Sequence, residues 1–120
     1  MLGMKIYILE DNLAIAQLVL LLLKRRGYEA YAFHSISSLI KGLDNAAPDF
    51  FVLDIMLPDG NGVDLAKSFK VSEKFKNIPI LLMSANVDGV AESQKLHKVG
   101  YIAKPFDIKD FMNSLELLSN

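Results

Sequence analysis

A regular alternation constrains this chain more than any other feature. Short apolar runs, rich in β-branched and aromatic residues, take turns with stretches of helical periodicity. The runs are Lys5 to Leu9, Tyr28 to Phe33, Asp49 to Leu53, Ile78 to Met83 and the brief Tyr101 to Ala103. The helical stretches are Leu13 to Arg26, capped by Asn12 and stopped by Gly27, then one capped by Ser35 or Ser37 and reaching about Leu43. Next come Val63 to Phe75, Val90 to Val99 after a turn at Asn86 to Gly89, and a last helix capped by Asp107. Strand and helix alternating without a linker or repeat predict an α/β fold, a doubly wound five-stranded parallel sheet with right-handed crossovers. The third run, almost wholly apolar, suits a central strand covered on both faces.

Length and composition agree. The 120 residues suit one domain, expected over 4–120, with Met1 to Gly3 as a vector-derived or flexible start, or an alternative one, because Met4 follows so closely. Hydrophobic residues at 52% against 22% charged exclude intrinsic disorder. A net charge of −1 gives no bulk reason to bind nucleic acid or a membrane. Without cysteine there is no disulfide, thiolate nucleophile or thiolate metal site, which fits a cytoplasmic location. Leu13 to Leu23 is too short to span a bilayer and reads as a buried helix. Lys24, Arg25 and Arg26 suit the negative end of that helix's dipole. Lys67, Lys70 and Lys74 read as a solvated face, and His34 and His97 as solvated histidines. Ile108, Phe111, Met112, Leu115 and Leu118 form the core stripe of the last helix.

In such sheets, ligand chemistry lies outside the carboxyl ends of the strands. There the sequence places Glu10 and Asp11, Asp54, Ser84 and Lys104. Three carboxylates and one ammonium leave a local charge of −3 + 1 = −2. Mg²⁺ would cancel it, since this ion takes one or two carboxylates and shares phosphate oxygens. An aspartate can attack phosphorus and form an acyl phosphate. The metal would bridge Asp11, Asp54 and the phosphate, while Lys104 and the Ser84 hydroxyl would hold other phosphate oxygens.

Glu10-Asp11, Asp54, Ser84-Ala85 and Lys104-Pro105-Phe106, with the stretch from Asp54 through Pro58-Asp59-Gly60 to Gly62, resemble the signature of response-regulator receiver domains of two-component signalling. The resemblance covers essentially the whole chain. It implies a flavodoxin-like (βα)5 fold with strand order 2-1-3-4-5. Asp54 would accept a phosphoryl group from a sensor histidine kinase or a histidine phosphotransfer protein. Asp11, Asp54 and the Met56 backbone carbonyl would bind Mg²⁺ directly, and Glu10 through water. Ser84, the Ala85 amide and Lys104 would hold the phosphoryl oxygens. Ser84 and Tyr101 would form the switch, and Lys104–Pro105 would be a cis peptide. Such a domain is a phosphoacceptor switch rather than an enzyme. It catalyses its own phosphotransfer, loses the group slowly, and changes its surface for an output partner or attached output domain. The resemblance implies no direct contact with nucleic acid or membrane and leaves a phosphorylation-dependent homodimer open.

One departure touches the output side. Ser84 and Lys104 are 104 − 84 = 20 positions apart, about two fewer than usual in the family, so the segment before Tyr101 is short. Two other classes compete. An aspartyl-nucleophile phosphohydrolase places a second Asp two residues after the nucleophile, where this chain has Met56. A flavodoxin-type cofactor carrier places a phosphate loop after the first strand, where this chain has Glu10 and Asp11.

Overall fold

The apolar runs pair as the alternation requires. A computed structural model describes residues 3–44, 46–85 and 95–119. In chain order the elements are β1 (Lys5–Leu9), α1 (Leu13–Arg25), β2 (Glu29–Phe33), α2 (Ile36–Gly42), β3 (Phe50–Asp54), β4 (Met56–Leu57), β5 (Gly60–Asn61), α3 (Gly62–Lys70), β6 (Ile80–Ser84), β7 (Val99–Ala103) and α4 (Ile108–Ser119). Five strands form a parallel sheet in the order β2-β1-β3-β6-β7. Counting only those five, this is the expected 2-1-3-4-5 order. The expected Asn86–Gly89 turn and the first half of the Val90–Val99 helix lie outside the described residues; in the second half the expectation is corrected, since Lys95 to Lys98 form turns and a bend and Val99 opens β7.

Alternate side chains on each strand feed two cores. Ile6, Ile8, Val52, Leu81 and Met83 pack with Val19 and Leu23 of α1 and Phe111 and Leu115 of α4. Tyr7, Leu9, Phe51, Leu53 and Leu82 pack with Leu39 of α2 and Ala66 and Phe69 of α3. Because β3 and β6 are buried along their whole length, their sequences carry no polar face.

The caps fall where polar residues precede apolar periodicity. Asn12 Oδ1 accepts the Ile15 N–H at 3.1 Å, a contact of the kind that contributes about 1 kcal/mol. Ser35 caps α2 by accepting the Ser38 N–H at 3.2 Å. Asp107 accepts the Asp110 N–H at 2.7 Å at the start of α4.

Several expectations are corrected. Helix α3 stops at Lys70 rather than Phe75. Phe69 and Phe75 both pack on Phe51, with ring centroids 4.5 and 6.2 Å away. Residues six apart on a helix face different sides, so the chain must turn between them. Lys70 is then half-buried rather than solvated, and its ammonium donates to the Lys76 and Ile78 carbonyls at 3.2 and 2.7 Å. Burial, with nearby Lys98, lowers its pKa to about 8.

Leu13–Leu23 is only one-sided in its burial. Ala16, Val19 and Leu23 are buried, while Leu13, Leu18 and Leu21 are about half exposed. Ile108 likewise lies outside the core stripe. Strand β7 begins at Val99, ahead of the expected Tyr101, because parallel pairing extends back to Ile80 and Leu81. Gly100 fits that stretch: a Cβ there would meet Leu118 Cδ1 at 2.8 Å. No helix among the described residues is long and apolar enough to cross a membrane.

Candidate functional site

Each strand of the sheet ends at one rim. Strand β1 delivers Glu10 and Asp11, β3 ends in Asp54, β6 ends in Ser84, and Lys104 follows β7. The central neighbours β1 and β3 bring carboxylates from distant parts of the sequence together. One oxygen from each of Glu10, Asp11 and Asp54 lies within 4.8 Å of the others. Glu10 and Asp54 are buried, and Asp11 faces solvent.

Lys104 enters this cluster directly. Its ammonium pairs with Glu10 Oε1 and lies 3.3 Å from Asp54 Oδ2. The other Glu10 oxygen accepts the Asn12 N–H at 3.1 Å. Burial pushes the Glu10 carboxyl above the usual range, Lys104 pulls it back, and Asp54 pushes it up again. The donors are all oxygens and the net charge is −2, a set that fits a hard divalent cation such as Mg²⁺.

The other strand-end residues are also in place. Ser84 is buried, and its backbone carbonyl accepts the Lys104 N–H at 2.8 Å and the Tyr101 hydroxyl at 3.2 Å. Ala85, just after β6, and Lys104–Phe106 line a groove of about 360 Å³ beside α1. Lys104–Pro105 is cis, as the resemblance implied. Met56 is 67% exposed and begins a two-residue antiparallel pair with β5, where the sequence suggested only a loop. At the base of this hairpin the Gly62 N–H donates to the Ile55 carbonyl at 2.7 Å. A Cβ on Gly62 would lie 2.0 Å from the Asp54 carbonyl oxygen, so only glycine allows so close an approach.

Two participants escaped the sequence reading. His34 is exposed, as expected, but its ring is tied to the rim of the site, with Nδ1 3.0 Å from the Glu10 carbonyl oxygen. His97 is exposed, as expected. Asp59, read as a turn residue, accepts the Ile36 and Ser37 backbone N–H groups at 3.0 and 3.1 Å. Its position in a Pro-Asp-Gly turn was the only available signal.

Fold and site together define a doubly wound α/β domain with an acidic, lysine-countered pocket at its strand ends. The chain belongs to the response regulator receiver domain family, whose model matches residues 6–116. Members of this family are phosphoacceptor signalling switches that work with histidine kinases or phosphotransfer proteins and with output domains.

The chain is 31% identical over 120 residues to chemotaxis protein CheY1 of Helicobacter pylori, covering 96% of each. It is 27% identical over 118 residues to sporulation initiation phosphotransferase F of Bacillus subtilis, covering 97% of this chain and 94% of that one. It spans only 24% of the transcriptional regulator NtrC of Proteus hauseri and 48% of the regulator PhoB of Escherichia coli. Among solved structures it matches the receiver domain of sensor histidine kinase PA1611 of Pseudomonas aeruginosa, with TM-score 0.84, 22% identity and 98% of each chain covered. That structure holds a magnesium ion in its active-site cleft.

Proposed function

We propose that this chain takes a phosphoryl group onto Asp54 from a phosphohistidine of a sensor histidine kinase or histidine phosphotransfer protein. The observation that carries this reading is the setting of Asp54. It is buried at the end of β3, its carboxylate is grouped with those of Glu10 and Asp11, and Lys104 lies 3.3 Å away. An Asp54 oxygen attacks phosphorus as the donor's N–P bond breaks, and the proton needed by the departing imidazole comes from solvent. Asp11, Asp54 and the Met56 carbonyl would hold Mg²⁺, with Glu10 in support, and the bound ion would supply positive charge against the phosphoryl oxygens.

Lys104 moves from Glu10 toward one phosphoryl oxygen, while the Ser84 hydroxyl and the Ala85 amide take others. Because Tyr101 donates to the Ser84 backbone carbonyl, a shift of Ser84 toward the phosphoryl group displaces Tyr101. That couples the site to the surface read by an output partner or output domain. In this reading 4–120 acts as one receiver unit in the cytoplasm, and its own residues catalyse both uptake and slow loss of the phosphoryl group.

Acetyl phosphate with Mg²⁺ tests the assignment. The intact chain should gain one phosphoryl group by mass, and Asp54→Asn should gain none. A modification that persists in that variant and maps to another residue would overturn it.

A further inference from the structure

The hairpin that carries Met56 is held by a contact far from it in sequence. Two two-residue strands do not hold a fixed position by their own pairing. Asp59, at the turn between them, provides an anchor. Its Oδ1 accepts the Ile36 N–H and its Oδ2 the Ser37 N–H. These are the first two amides of α2, and neither has a partner within the helix. They hold the Asp59 carboxyl below the usual carboxylate range, so both oxygens remain acceptors near neutral pH. The third amide of α2, on Ser38, is satisfied separately by Ser35.

The same corner also fixes the opposite side of the site. Just before Ser35, His34 meets the Glu10 carbonyl, and the Glu10 N–H donates to the Phe33 carbonyl at 3.0 Å. The turn from β2 into α2 therefore touches Glu10 on one flank and the Met56 hairpin on the other.

We infer that Asp59 is a positioning residue of the cation site. By clamping the β4–β5 hairpin to the start of α2, it holds the Met56 backbone carbonyl in register with the carboxylates of Glu10, Asp11 and Asp54. This rests on the reading that Mg²⁺ binds there, and it gives a role to a side chain that contacts neither the ion nor the phosphoryl group.

Calorimetric titration of the chain with MgCl₂ separates the possibilities, alongside melting curves in EDTA. Loss of an outer-shell partner typically weakens metal binding roughly 10- to 100-fold, and Asp59→Ala should fall in that range. Asp59→Asn keeps one acceptor oxygen and should fall between Asp59→Ala and the wild type, which keeps the test available if the alanine variant folds poorly. Ser35→Ala removes the neighbouring cap on the same helix. It should lower the melting temperature while leaving Mg²⁺ affinity unchanged. Wild-type affinity in a folded Asp59→Ala, or an equal loss in Ser35→Ala, overturns the positioning role. A wild-type chain that takes up no Mg²⁺ overturns the underlying reading and this inference with it.

Discussion

The Lys104 ammonium lies 3.3 Å from Asp54 Oδ2 while it also pairs with Glu10. A side chain expected to meet a phosphoryl oxygen thus sits first within the carboxylate cluster. There it acts as an internal counter-ion, in the field where a divalent cation would act.

Removing that ammonium exposes the repulsion it hides. Breaking a buried ion pair costs about 3–5 kcal/mol when the remaining charge cannot escape. Here Glu10 can take up a proton, so Lys104→Met should cost less, about 2 kcal/mol near pH 7. In melting experiments the variant should unfold at lower temperature without Mg²⁺. It should also gain more from added Mg²⁺ than the wild type does. A smaller gain would show that Lys104 does not compete with the cation.

The raised Glu10 pKa sets a pH dependence with a definite sign. An acid that holds its proton more tightly when folded stabilises the fold at low pH. That contribution is complete below the ordinary value of 4.5 and is lost as pH rises through the raised value. Without Mg²⁺, chemical denaturation across this window should therefore show a falling contribution that Glu10→Gln removes. Mg²⁺ binding should release protons there, and its affinity should begin to weaken at a higher pH than an ordinary glutamate would dictate.

The rim residues were legible because each follows a run whose period marks it as a strand, and parallel strands in one sheet present their carboxyl ends together. Asp54 and Ser84 needed no more than this. The bend after Lys70 was not legible, since a Phe69–Phe75 spacing means nothing until Phe51 is there to receive both rings. The roles of His34 and Asp59 were hidden for the same reason: they act on backbone groups 24, 23 and 22 positions away. No local pattern records such a partner. The one-sided burial of α1 was masked by its leucine content, which hides the polar face a helix usually displays.

Gly62 offers a steric test of the loop after Asp54. Gly62→Ala would drive a methyl group into the Asp54 carbonyl, a backbone atom that cannot swing aside. The cost should reach about 3 kcal/mol or more, at the upper end for overpacking. Gly100→Ala meets only the tip of Leu118, which can rotate, and should cost about 1 kcal/mol. Urea unfolding of the two variants should rank them in that order, and the reverse order would contradict the close approach at Gly62.

The ion pair between Glu10 and Lys104 joins residues 94 positions apart. A ribosome makes the acidic partners long before it makes their neutraliser. A partly synthesised chain in which β1 and β3 have already paired therefore holds three crowded carboxylates with no lysine among them. Ambient cations or protons must quiet that charge until the β7 segment emerges. Closing the sheet and neutralising its rim are thus one event, which waits for the β7 segment and the lysine that follows it.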